Sequence, residues 1–230
     1  MSMRRGLKQL IGFIVVVIMV SCASRPQFAL DEGAKSRLSE IRASLELKFA
    51  QNRKVWRFSI ENGEMTLRDI MSIPPAYLKG KQFMRFRDEI PEVLPDIKGY
   101  DYYGPYGLSP DGLIMILSIS PKNYWPAATD FILIRQDTKE VLFQRRYNNP
   151  SYQIEDISWS PNSELLALLE VSSERRHGII DKISAMLGHV NEEGTFYLSI
   201  YNRKGDLIVT SKVASGLVNP GGQIFWKKEK

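Results

Sequence analysis

Few side chains in this 230-residue chain could carry covalent or metal chemistry, because it contains one cysteine and two histidines. Cys22 could act as a nucleophile or accept a covalent group at its sulfur, but a single cysteine cannot form an internal disulfide. His177 and His189 are 12 positions apart, and this spacing matches no metal-binding motif. We therefore expect no metal site and no other cofactor.

Cys22 directly follows a pattern that is typical of a secretory signal peptide. Arg4, Arg5 and Lys8 precede an apolar run over residues 10–20, and no acidic residue occurs before the cysteine. The run has 11 residues. As a helix with a rise of about 1.5 Å per residue, it would reach only about half of a hydrocarbon core. This length favours a cleaved signal, and a signal anchor retained in the membrane is the alternative.

Residues 19–22, Met-Val-Ser-Cys, resemble the lipobox of bacterial lipoproteins, in which aliphatic and small residues precede an acceptor cysteine. The first position is usually Leu, so Met19 is a departure that keeps the apolar character. The resemblance implies lipidation of Cys22, removal of residues 1–21 and a membrane anchor of several acyl chains. Ala23 stands where an Asp would resemble an inner-membrane retention signal. We therefore expect an envelope protein, with the outer membrane favoured.

Cleavage of the signal segment would also remove much of the net positive charge. The chain carries 31 Lys and Arg against 26 Asp and Glu, a net charge of +5, and three of the basic residues lie in the signal segment. The remaining basic residues are scattered among acids, except for Lys227, Lys228 and Lys230. Because nucleic-acid binding requires a clustered basic surface, we expect no nucleic-acid partner.

The chain after Cys22 is predicted to begin with a tether and a helix. Residues 22–30 contain a proline and fit a short tether. Across residues 31–52, apolar side chains recur every three or four positions, which predicts one amphipathic helix. Its polar face mixes acids with bases, so we expect the apolar stripe to pack against the domain and not to lie on a membrane. The stripe comprises Ala34, Leu38, Ile41, Leu45 and Phe49.

Residues 53–230 are predicted to form a β-rich domain, because short runs rich in β-branched and aromatic residues alternate with turn sequences. Residues 109–112 and 160–163 are similar turns at an offset of 51, and each precedes an apolar run that we predict to be a buried strand. Residues 131–143 and 197–209 then align at an offset of 66. The second unit therefore contains an insertion, predicted to be helical, over residues 173–192.

The Ser-Pro-Asp-Gly turn at residues 109–112, with its Ser-Pro-Asn-Ser counterpart after Ile157-Ser158-Trp159, resembles the blade signature of β-propellers of the TolB and WD40-like type. The resemblance implies a mainly β fold of repeated antiparallel sheets, to which the periodicity above adds the N-terminal amphipathic helix. At about 40 to 50 residues per blade, the domain could supply at most about four blades. A small degenerate propeller, an open stack of sheets and a propeller completed by another chain all fit. We favour the open or incomplete form.

Aromatic residues on predicted loops are the candidates for binding. Tyr100, Tyr102, Tyr103 and Tyr106 occur among Gly and Pro, and Trp125 lies between two predicted strands. Such rings can stack on sugars or peptides, or can pack at the entry to a strand. The insertion could likewise bind a partner or cover a sheet face.

The sequence contains no nucleophile elbow, phosphate-binding loop, zinc-protease motif or dinucleotide glycine pattern. We therefore predict a non-catalytic interaction module that binds a protein or an envelope polymer. The alternative is a divergent envelope hydrolase or carbohydrate-active protein with paired carboxylates, for which Asp130, Glu155 and Asp156 are candidates.

Overall fold

The computed structural model describes residues 26–51, 54–72, 100–121, 130–145, 152–175, 192–218 and 221–227. These residues contain one helix, α1 (Glu32–Glu40), and 13 strands. The strands are β1 (Gln27–Phe28), β2 (Ser44–Gln51), β3 (Lys54–Glu61), β4 (Glu64–Ser72), β5 (Tyr100–Leu108), β6 (Ile114–Pro121), β7 (Asp130–Arg135), β8 (Val141–Arg145), β9 (Tyr152–Trp159), β10 (Leu165–Arg175), β11 (Glu192–Asn202), β12 (Leu207–Val218) and β13 (Gly221–Trp226).

The strands form three antiparallel sheets, so the prediction of a mainly β chain with antiparallel sheets is confirmed. Sheet 1 has the order β13-β2-β3-β4, sheet 2 has the order β5-β6-β7-β8, and sheet 3 has the order β1-β12-β11-β10-β9. The last strand of the described residues thus completes the sheet built from β2, β3 and β4. The part of the chain that the structure describes does not form a closed propeller.

Sheet 3 lies between the other two sheets. The larger core cluster joins it to sheet 1 and to α1, whose Ala34 and Leu38 are buried. A second cluster joins the other side of sheet 3 to sheet 2 through residues such as Ile116, Phe131 and Leu168. Because both faces of β10 are covered, residues 166–171 are buried, and so are residues 114–119 of β6.

The helix predicted over residues 31–52 is wrong in its second half, because residues 44–51 form a strand. Positions four apart, such as Leu45 and Phe49, share a face in a helix and in a strand alike. Leu47, between them, is also buried, and only the alternation of a strand places all three side chains on one face. The helix ends at a tight turn in which Arg42 adopts a positive φ of 50°.

Two further boundaries differ from the prediction. The predicted tether over residues 22–30 contains β1, because Phe28 packs against Phe58 with ring centroids 4.6 Å apart and β1 pairs with β12. The predicted insertion over residues 173–192 is shorter at both ends, because the pairing of β10 with β11 continues to Arg175 opposite Glu192. Residues 176–191, with His177 and His189, lie outside the described residues.

The turns that precede β6 and β10 have the same hydrogen bonds. Ser109 Oγ donates to Asp111 Oδ1 at 2.6 Å and accepts a bond from the Ile114 amide at 2.9 Å. The serine hydroxyl in each turn therefore holds the start of the next strand. The corresponding bonds of Ser160 Oγ join Asn162 Oδ1 at 2.7 Å and the Leu165 amide at 2.9 Å.

Candidate functional site

Three edge strands, one from each sheet, lie side by side. They are β5 of sheet 2, β9 of sheet 3 and β13 of sheet 1. We call β5, β9 and β13 the inner strands, with β9 in the middle. β9 and β13 run in the same direction, since residues 222, 224 and 226 of β13 bond residues 155, 156 and 158 of β9 in that order. β5 ends beside the end of β9, where the Asp111 amide donates to Ser163 Oγ at 3.0 Å. All three inner strands are therefore parallel.

Side chains, and not a backbone ladder, join β9 to β13. Three side chains of β9 accept hydrogen bonds from three alternate amides along the edge of β13. They therefore satisfy donors that would otherwise be unpaired at a partly buried strand edge. The bonds run from the Gly222 amide to Glu155 Oε1 at 3.1 Å, from the Ile224 amide to Asp156 Oδ2 at 2.8 Å and from the Trp226 amide to Ser158 Oγ at 3.2 Å.

A β-bulge explains why two adjacent carboxylates reach the same strand. Asp156 lies opposite Leu169 of β10 and Ile154 lies opposite Glu170, so Glu155 is the extra residue. In a regular strand, neighbouring side chains point to opposite faces, whereas a bulge redirects one of them. The bulge therefore allows both Glu155 and Asp156 to bond β13.

Both carboxyl groups have raised pKa values. Burial raises the pKa of Glu155 to about 7, and the charge of Asp156 adds to this effect while the bond from the Gly222 amide opposes it. Burial likewise raises the pKa of Asp156 to about 6, against the bonds from the amides of Ile224 and Ile157. Both groups therefore titrate near neutral pH.

Tryptophan side chains bridge the inner strands at their ends. Trp226 Nε1 donates to the Ser158 carbonyl at 2.9 Å, and Trp159 Nε1 donates to the Gly107 carbonyl at 3.4 Å. Gly107 and Ser158 are equivalent positions at the repeat offset of 51. The equivalent of Trp159 in β5 is Leu108, which is 48% exposed. The series of indole bonds thus runs from sheet 1 to sheet 3 to sheet 2 and ends there.

The binding residues predicted from the sequence fall in different parts of the chain. Strand β5 contains Tyr100, Tyr102, Tyr103 and Tyr106, and its pairing with β6 shifts register between Tyr102 and Tyr106. The predicted loop is thus an inner strand next to β9. Trp125 and Cys22 lie outside the described residues.

Of the three candidate carboxylates, two come together. Glu155 and Asp156 are adjacent at the seam between β9 and β13, whereas Asp130 begins β7, and β6 separates β7 from the inner strand β5. The structure also shows a polar contact that the sequence did not indicate, because Glu170 lies within an apolar run. Arg145 Nη1 is 3.0 Å from Glu170 Oε1, and Ser199 Oγ donates to Glu170 Oε2 at 2.8 Å. This contact fixes β8 of sheet 2 against sheet 3.

Comparisons with protein families and with curated proteins give no match. No protein-family model matches the chain, and no curated protein matches it significantly. Within the described ranges, no three or more His, Cys, Asp or Glu side chains group in a way that could hold a metal ion. No helix in those ranges has the length and apolar character needed to cross a membrane.

Proposed function

We propose that the chain is a lipid-anchored protein of the bacterial cell envelope whose β domain is a non-catalytic binding module. The anchor rests on the sequence around Cys22, which follows the apolar run of residues 10–20 and completes a lipobox-like tetrapeptide. Several acyl chains on one residue would hold the domain on a membrane surface, with the outer membrane favoured.

We further propose that the domain is an incomplete, propeller-like stack of three sheets. Parallel inner strands, one at the edge of each four-stranded meander, are the arrangement of propeller blades. Completion of sheet 1 by the C-terminal strand β13 also fits this architecture. The observation that carries the proposal is the repeated indole bond, since Trp226 and Trp159 join successive inner strands at equivalent positions.

Binding is proposed at the tyrosine-rich inner strand β5. β5 contributes four tyrosines at the edge of sheet 2, and the series of indole bonds ends at this strand. Tyrosine combines an apolar ring with a polar tip and suits contacts with a protein or a polymer. Meanwhile the carboxylates of Glu155 and Asp156 accept backbone bonds from β13, which supports a structural role for them.

Acyl labelling tests the anchor. A metabolic fatty-acid analogue should label the wild-type protein, and the Cys22→Ala variant should lose the label and the membrane association. Ser2→Ala, which also removes one polar atom from the signal segment, serves as the control and should keep both. Equal labelling of the wild type and Cys22→Ala would refute the anchor.

Capture from detergent-solubilised envelope tests the binding surface. The double variant Tyr102→Ala, Tyr106→Ala should retain less of a specific protein or polymer than the wild type does. Phe225→Ala, which removes an exposed aromatic ring from sheet 1, is the matched control and should retain the wild-type amount. A double variant that captures as much as the wild type would place binding elsewhere.

A hydrolase is the second candidate function, and the raised pKa of Glu155 beside a second carboxylate is the observation that favours it. Under this alternative, Glu155→Gln would abolish hydrolysis of an envelope polysaccharide and leave the fold intact. Absence of hydrolysis by the wild-type protein over a panel of such polysaccharides would count against the hydrolase and favour the binding module.

A further inference from the structure

Strand β4 is an exposed edge. It has nine residues, ends sheet 1, and within the described ranges pairs only with β3. Eight of its nine residues are exposed, including Leu67 at 50% and Ile70 at 55%. The outer edge of sheet 3, in contrast, is partly covered by β1, which pairs with Ala214 and Ser215 of β12. A long edge strand with exposed aliphatic side chains is a site at which another strand can add.

The two faces of β4 differ in chemistry. Leu67 lies opposite Phe58 and Ile70 lies opposite Trp56, so both aliphatic side chains lie on the sheet face that contributes to the core. A bulge at Arg68 lies between them. The other face carries Asp69, whose Oδ2 is 3.0 Å from Arg57 Nη1, and Arg68, whose Nη2 is 3.3 Å from Glu61 Oε1.

We propose that β4 pairs antiparallel with β4 of a second copy of this chain, about a two-fold axis that passes between Arg68 and Asp69. In this register, Leu67 lies opposite Ile70 of the partner subunit on the core-side face. Arg68 lies opposite Asp69 of the partner subunit on the polar face. The two-fold axis repeats both pairs, so one strand supplies a self-complementary interface that closes as a dimer.

Charge selects this register. An axis through Arg68 would place two arginines opposite each other, and an axis through Asp69 would place two aspartates opposite each other, which destabilises a strand pair. The proposed register instead brings opposite charges together, with Glu61 beside Arg68 and Arg57 beside Asp69 in each subunit. The charges then alternate in sign across the junction, and sheet 1 continues into an eight-stranded sheet.

Cysteine cross-linking tests the register. Directly opposite residues of paired strands are close enough for a disulfide. Residue 67 of one subunit and residue 67 of the other would be three positions out of register and therefore about 10 Å apart, and the same holds for residue 70. The full-length double variant Leu67→Cys, Ile70→Cys should therefore form a covalent dimer under mild oxidation in detergent. Either single variant should give no more dimer than the wild type, whose one cysteine is Cys22. Equal dimer yields for the double and single variants would overturn the proposal.

Self-association provides a second, independent readout. By sedimentation in a density-matched detergent, Ile70→Lys should raise the dimer dissociation constant at least about tenfold, because the change enters the interface twice. Leu207→Lys, at a residue that is 49% exposed on sheet 3, is the matched control and should not change it. A wild type that is monomeric at every concentration tested would overturn the proposal.

Discussion

Gly222 lies where β13 passes over core side chains of sheet 3. A Cβ at this position would lie 2.6 Å from Leu169 Cδ2 and 2.7 Å from Phe196 Cε1, which is shorter than van der Waals contact. Both neighbours are fully buried and therefore cannot move away freely. The absence of a side chain is what allows β13 to come within hydrogen-bonding distance of Glu155.

We predict that Gly222→Ala lowers the free energy of unfolding by about 1 to 3 kcal/mol, the usual cost of overpacking a core. Urea unfolding measures the change. Gly33→Ala is the matched control, because a Cβ at Gly33 meets nothing within 4 Å and alanine favours the helix. Equal stability of Gly222→Ala and the wild type would show that β13 can shift without cost.

The carboxyl groups at the seam make stability depend on pH. The pKa of Glu155 is raised to about 7 from an ordinary value of 4.5, so the folded protein binds a proton that the unfolded chain has released over this range. The contribution of Glu155 is therefore fully present below about pH 4.5 and is lost as the pH rises through 7. Asp156, with a pKa raised to about 6, acts in the same direction.

We predict that the wild type is less stable at pH 8 than at pH 5 by a few kcal/mol, and that Glu155→Gln removes much of this difference. The glutamine side chain would keep an oxygen that accepts the Gly222 amide bond. Urea unfolding at several pH values measures the slope. Glu164→Gln, an exposed change in a nearby turn, should leave the slope unchanged, and a Glu155→Gln slope equal to the wild type would contradict the role of this carboxyl group.

At the scale of elements, the two indole hydrogen bonds that join neighbouring inner strands should stabilise the folded protein. We predict that Trp159→Phe and Trp226→Phe each lower the free energy of unfolding by about 1 to 2 kcal/mol through the lost hydrogen bond and buried area. Leu108→Phe, at the equivalent position of β5, should change it by less than about 0.5 kcal/mol because that side chain is exposed.

Chemical denaturation of these three variants provides the measurement. Equal losses of unfolding free energy for Leu108→Phe and the two tryptophan variants would show that the indole bonds between the inner strands add no stability.

The sequence predicts some elements well because their signals are local. The serine turns before β6 and β10 are visible in it because side chain and backbone within a few residues determine them. The prediction around Leu45 is wrong because helix and strand periods agree at a spacing of four. The bulge at Glu155 has no signal in the sequence, since it depends on the pairing with β10.

At the scale of the whole molecule, the sequence does not predict which strands and sheets lie next to each other. Gly222 and Glu155 are 67 positions apart, and nothing in either local pattern indicates that β13 joins β2 on one side and bonds β9 on the other. Residues 224–226 are similar to residues 157–159 in sequence, and the indole of each tryptophan donates to a carbonyl of the neighbouring inner strand. The sequence shows Glu155 and Asp156 as adjacent carboxylates but not as partners of a strand edge.

We predict that a chain ending at residue 220 does not fold cooperatively, whereas a chain ending at residue 227 does. Loss of β13 would expose the edge of β2, remove the buried Ile224 and take the amide donors away from Glu155 and Asp156. Soluble yield and urea unfolding compare the two truncations. Equal midpoints of unfolding would show that β13 is dispensable.

The placement of β13 in sheet 1 has a consequence for the order of events during synthesis. The strands β2, β3 and β4 leave the ribosome early, but their sheet lacks a member until Trp226 has been made. Contacts between segments that are far apart in sequence form slowly, because a long loop must close first. Sheet 1 would therefore be completed only after residues 221–226 have been made. Under the export that we propose, such a delay would keep sheet 1 incomplete while the chain crosses a membrane.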